Sequence, residues 1–163
     1  MGRRKAVVTH EGGTTFSART GTGRKIVFGD DPTANRHSPV ELVATALAAC
    51  TAMDVASIMA KKRQAVESYT VTVEAVQRDE YPQVLTRIDL VHEMSGPDVS
   101  EAAVRRAIEL SATKYCPVNA MLSAGATEIH HGYRVHGTGP VPFEVEGEVL
   151  VTGPFKRPEA VAD

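Results

Sequence analysis

Ser38-Pro39-Val40-Glu41-Leu42-Val43-Ala44-Thr45-Ala46-Leu47-Ala48-Ala49-Cys50-Thr51 is the stretch around which this chain organises itself. Ser38 and Glu41 have the spacing of a capping box, and Pro39 stands at the first helical position, where its missing N–H is no loss. No glycine or proline follows before Lys62. A helix about 35 Å long is therefore predicted from here to Lys62. Leu42, Ala46, Leu47, Cys50, Met53 and Ile58 fall mostly at helical spacing, and Thr45 to Ala49 is apolar almost all round. That pattern predicts a helix buried at the centre of its fold. Lys61-Lys62-Arg63 supplies positive charge where the helix dipole favours it.

Upstream, Lys5–Thr9, Thr15–Ala18 and Lys25–Phe28 read as short strands punctuated by Gly12-Gly13 and by Thr20-Gly21-Thr22-Gly23. The polar stretch from Gly29 to His37, with Pro32, reads as a loop. Downstream, Tyr69–Val76 and Leu85–His92 alternate as an antiparallel hairpin with one solvated face. Asp98-Val99-Ser100-Glu101 has capping-box spacing and opens a second helix. Pro117 interrupts that helix after Lys114-Tyr115-Cys116, and a short helix Val118–Ala124 follows. Thr127–Val135 is the last core strand expected. The glycine- and proline-rich segment 137–163 reads as a C-terminal tail with one candidate short strand at Val149–Val151, leaving 1–136 as the domain. The order is that of an α+β fold.

At 163 residues the chain has the length of one domain, and its 42% apolar and 23% charged residues exclude wholesale disorder. A net charge of −2 offers no drive toward nucleic acid, and the absence of Trp leaves little for base stacking. No unbroken apolar run of about 18 residues and no signal-type segment after the basic N-terminus is found, so neither a membrane partner nor export is expected, and the expected compartment is the cytoplasm.

Two cysteines are too few for a disulfide-stapled domain. Cys50, inside an apolar helix, is either a small core residue or a thiol with chemistry to do. Cys116 sits where a helix begins at Pro117, an N-cap-like place whose free N–H groups favour a thiolate. If the two helices bring them together, they can cycle between dithiol and disulfide. His130-His131 are adjacent on a strand and point to opposite faces, so they offer no local ligand set for zinc, and no metal is expected.

The Ser38–Thr51 stretch resembles the first cysteine motif of the OsmC/Ohr family of osmotically inducible and organic hydroperoxide resistance proteins. Tyr115-Cys116-Pro117-Val118-Asn119-Ala120 resembles its second, and the helix–hairpin–helix order between them fits as well. The resemblance covers about residues 5 to 136. It implies a fold of long central helices packed against antiparallel β-sheets in an intertwined homodimer with active sites at the interface. It implies a thiol-dependent peroxidase of oxidative stress defence, reducing organic hydroperoxides with electrons from a dihydrolipoyl protein or a small thiol and needing no prosthetic group. By the same resemblance Cys50 is the attacking cysteine and Cys116 the resolving one, whereas the N-cap position of Cys116 argues for the opposite assignment. In the organic hydroperoxide resistance branch a Glu directly follows the motif's Pro and pairs with an Arg after a Gly-Gly pair. Here Val40 and Thr14 hold those positions. Glu41, about 100° further round the helix, is either an active-site carboxylate or a capping residue. Arg19, Arg24 and Arg36 are the candidate substitutes for the Arg. A dimer that holds a small apolar ligand without peroxidase turnover is the alternative these departures leave.

Overall fold

The computed structural model describes residues 2–29 and 36–153. The loop expected at 30–35 and the end of the expected tail, 154–163, lie outside the described residues. The chain divides into two units, Met1–Val43 and Ala44–Asp163.

The first unit is a three-stranded antiparallel meander, β1 (Ala6–Gly12), β2 (Thr15–Thr20) and β3 (Lys25–Phe28), in that order across the sheet. Gly12 and Gly13 take φ of 115° and 54° at the first turn, a backbone region that side chains with a Cβ avoid.

The helix predicted from Ser38 onward is α1, Pro39–Lys61. Arg63, at φ 54°, turns the chain away after it. Its buried residues, Ala44, Leu47, Ala48, Thr51, Val55 and Met59, step by three and four along one face. Val43 and Met53 are exposed, so a second apolar face of α1 is open in the single chain. A window of α1 with mean hydropathy 1.8 also passes, by length and composition alone, the test for a membrane span, with 33% of it buried. Thr45, Thr51 and Asp54 interrupt the apolar run, so only its average reaches that level. The same values are met by the core helix of a soluble fold.

The second unit is built on a sheet ordered β4 (Ser68–Gln77), β5 (Leu85–Gly96), β6 (Glu128–Gly137) and β7 (Phe143–Thr152). β4 and β5 form the expected hairpin. β5 and β6 are parallel, against the all-antiparallel expectation, because the chain between them crosses over through helices. β7 corrects the tail reading. It pairs antiparallel with β6 from Gly137↔Phe143 to Ile129↔Thr152, so residues 143–152 complete the sheet.

β5 and β6 each bury alternate residues on one face. Against it pack the second half of α1 and the crossover helix α2 (Glu101–Leu110), through Val55, Met59, Met94, Val104, Ile108 and Val135. Val104 and Ile108 are fully buried, each contributing about 2 kcal/mol of transfer free energy. The cap of α2 is Ser100 rather than Asp98, its hydroxyl accepting from the Ala103 N–H at 3.4 Å.

Candidate functional site

Cys50 and Asp54 are four residues apart on α1, so both project from one side of the helix. Cys116 comes to them from the crossover. α2 ends at Leu110, and Ser111–Tyr115 form a π-helical turn. Cys116 follows in an extended conformation, φ −74° and ψ 104°, before α3, Pro117–Ser123. The proline explains the break, since it disfavours a helical backbone at Cys116 and fits the first position of α3. The Cys116 N–H reaches back five residues to the Ser111 carbonyl at 2.9 Å, closing the wide turn.

The two sulfurs and a carboxylate oxygen of Asp54 lie within 4.8 Å of one another, and both cysteines are free thiols. Cys116 is buried, whereas Cys50 and Asp54 are half-buried. The Ser111 hydroxyl donates to Asp54 Oδ2 at 2.9 Å and lies 3.0 Å from Thr51 Oγ1, tying the π turn to α1 beside the cluster. Cys50, Asp54 and Cys116 are the group among the described residues that could hold a metal ion.

At Cys116 two effects compete. As N-cap of α3 its sulfur accepts the Asn119 N–H at 3.3 Å, which favours a thiolate. Burial, followed by the neighbouring Cys50 thiol, acts the other way and pushes the Cys116 thiol up to about 12. Burial wins, and Cys116 stays protonated near neutral pH. That removes the local ground for making Cys116 the attacking thiol.

Behind Cys116 lies a buried polar chain that sequence reasoning did not find. Asn119 donates from Nδ2 to the Ala112 carbonyl at 2.9 Å, leaving Oδ1 to accept from His131 Nε2 at 3.0 Å and from the Thr152 hydroxyl at 3.3 Å. His131 therefore carries its proton on Nε2, and its Nδ1 is bare. On the neighbouring strand the Tyr69 hydroxyl lies 2.7 Å from His92 Nδ1. Burial, then the charge of Asp54, holds the Tyr69 hydroxyl above its usual pKa, so it donates, and His92 carries its proton on Nε2. Both imidazoles are fully buried. Burial is the first cause that lowers them, His92 to about 3 and His131 to about 4. His92 Nε2 and His131 Nδ1 find no hydrogen-bond partner among the described residues, and one is a donor, the other an acceptor.

Glu41 is exposed in the first turn of α1, and the carboxylate beside the sulfurs is Asp54. Asp54 had a legible signal, its fourth-residue spacing from Cys50. Arg19 is exposed on β2, its guanidinium donating to the Gly23 carbonyl at 3.0 Å. His130 sits opposite His131, between Glu128 and Glu148.

The family model described as OsmC-like protein matches residues 31–131, which include both cysteines. A relative in Escherichia coli (strain K12), named protein YhfA, is 39% identical over 123 residues, which are 76% of this chain and 91% of YhfA. Among solved structures, an OsmC-like protein from Mycoplasma pneumoniae superposes with a TM-score of 0.73 at 17% identity, covering 82% of this chain and 97% of that one. An organic hydroperoxide resistance protein from Elizabethkingia anophelis superposes with a TM-score of 0.65 at 16% identity, covering 85% and 98%.

Proposed function

This chain belongs to the OsmC-like protein family, and from that membership we propose that it is a thiol-dependent peroxidase that reduces organic hydroperoxides through a two-cysteine cycle. The observation that carries the proposal is the meeting of Cys50 and Cys116, two thiols from separate helical segments, within 4.8 Å. The similarity of the fold to an organic hydroperoxide resistance protein supports it.

In the cycle the Cys50 thiolate attacks the outer oxygen of the peroxide, the O–O bond breaks, and the leaving alkoxide takes a proton to depart as an alcohol. Cys50 becomes a sulfenic acid. The Cys116 thiol then displaces water from that sulfenic acid to form the Cys50–Cys116 disulfide. Two thiol equivalents from outside, a dihydrolipoyl protein or a small thiol, restore the dithiol and leave as a disulfide. Cys50 takes the first step because it is the half-exposed sulfur, while burial keeps Cys116 protonated until it resolves. Asp54, beside both sulfurs, is positioned to exchange the protons of the two steps. Glu41 serves α1 as a first-turn carboxylate favoured by the helix dipole. In this proposal the protein works as a homodimer in the cytoplasm, its second copy covering the open face of α1 at Val43 and Met53.

Consumption of cumene hydroperoxide by the reduced protein, with dithiothreitol or a dihydrolipoyl protein as reductant, tests the proposal. Wild type turns over and Cys50→Ser does not. An inactive wild type with every reductant would favour the ligand-binding alternative that Val40 and Thr14 suggest.

A further inference from the structure

We propose that in the reduced protein Cys50, Asp54 and Cys116 form a binding site for a borderline divalent cation of the zinc class, with one coordination position left open to solvent. The inference rests on the same two sulfurs as the peroxidase cycle but not on their turnover.

The donor set comes first. Two sulfurs and one carboxylate oxygen are the ligands such a cation takes in protein sites, and a thiolate pair disfavours magnesium and calcium, which select oxygen. Geometry comes second. Around a tetrahedral ion with bonds of about 2.3 Å to sulfur and about 2 Å to oxygen, ligand atoms stand roughly 3.5–3.8 Å apart. The three atoms here are already within 4.8 Å of one another, so each pair need close by at most about 1.3 Å.

The surroundings supply what ligands need around them. Asp54 Oδ2 is fixed by the Ser111 hydroxyl at 2.9 Å, which holds the carboxylate on this side of α1. Cys116 Sγ already accepts the Asn119 N–H at 3.3 Å, an outer hydrogen bond of the kind that supports a metal-bound thiolate. Cys50 and Asp54 are half-buried in the single chain, which gives the ion a way in, and three protein ligands leave a fourth coordination position unfilled. Three ligands with an open position is the pattern of an exchangeable site rather than of a closed structural one.

Binding has a defined proton balance. Two thiols lose their protons to solvent as two sulfur–metal bonds form, the carboxylate adds a third bond, and no electron is transferred. Affinity must therefore rise with pH, and the bound ion and the Cys50–Cys116 disulfide exclude each other. An ion held this way draws on both sulfur lone pairs, so it also shields Cys50 from peroxide.

Anaerobic titration of the reduced full-length protein with Co2+, followed by displacement with Zn2+, tests the site. One ion per chain should bind with a thiolate-to-cobalt charge-transfer band and the intense visible bands of four-coordinate cobalt. Cys50→Ser and Cys116→Ser should each lose about half of the charge-transfer intensity. Asp54→Asn should keep that band but weaken Zn2+ at least about 10-fold, with an unchanged far-ultraviolet circular dichroism spectrum as the folding control. Absence of the band in the reduced wild type, or equal Zn2+ affinity in wild type and folded Asp54→Asn, would overturn the proposal. Because the readout is spectroscopic, it stands or falls whether or not the protein turns over peroxide.

Discussion

Asn119→Ala is the substitution that most directly probes how Cys116 is held. It removes three side-chain hydrogen bonds, to the Ala112 carbonyl, to His131 Nε2–H and to the Thr152 hydroxyl. His131, fully enclosed, and the Ala112 carbonyl, in a buried residue, are left without partners. A buried polar group stripped of its partner costs about 1–3 kcal/mol, so two give about 2–6 kcal/mol, a large share of a typical domain's 5–15 kcal/mol. Urea unfolding of the reduced protein at one fixed concentration reads this loss, since association also contributes to stability. The chemistry should separate as well. Cys50 does not touch this network, so sulfenate formation should keep its rate, while disulfide closure should slow as the π turn loses its tie to α3. A stability change under about 1 kcal/mol would refute the account of Asn119 as the clamp of the Cys116 segment.

Other outcomes follow from the same structure. His92 and His131 are neutral in the native protein, and their native pKa values of about 3 and 4 lie below the unfolded value near 6.5. The unfolded chain therefore binds more protons between these values, and the stability the two histidines contribute is complete above about pH 6.5 and falls as the pH drops toward 4. The slope should reach about 2.5 kcal/mol per pH unit for the pair, and urea midpoints unchanged between about pH 7 and 5 would contradict it. With stoichiometric cumene hydroperoxide, Cys116→Ser should accumulate trapped sulfenic acid on Cys50, and Cys50→Ser should trap none. Adduct on Cys116 in the latter at the wild-type rate would reverse the roles. Light scattering should give about 35 kDa, twice the 17.4 kDa chain, and Met53→Asp should halve it. A wild-type monomer would remove the dimer from the proposal.

The fold and the site were legible to different depths. α1 announced itself because its start is written locally, in Ser38-Pro39 and the glycine- and proline-free run that follows. The Pro117 break at Cys116 was readable for the same reason. The parallel register of β5 and β6 was not, because Leu90 opposite His131 is a pairing over 41 residues that no local pattern encodes. β7 was missed as Val149–Val151 plus a tail. Its first half, from Phe143 to Gly147, is mostly exposed and interrupted by Glu144 and Glu146, so its pairing with β6 outweighs a weak intrinsic preference. Asn119 was legible only as a member of the second cysteine motif, and His131 only as half of a histidine pair with no local ligand set. Their importance comes from burial, and burial is a property of the assembled sheet and crossover.

The π-helical turn at Ser111–Tyr115 gives the length of the chain a meaning of its own. A π turn accommodates one residue more than an α-helical turn covering the same ground. Shortening the segment by one residue would let the helix run on regularly, and everything after it would rotate by about 100° and shift by about 1.5 Å. Both cysteine motifs would survive letter for letter, yet the Cys116 sulfur would face away from Cys50 and Asp54. Among aligned relatives, then, a gap in this segment is a better sign that the two thiols have parted company than any substitution beside them. The count of residues from α2 to Cys116 is as much a condition of the two thiols meeting as the cysteines themselves.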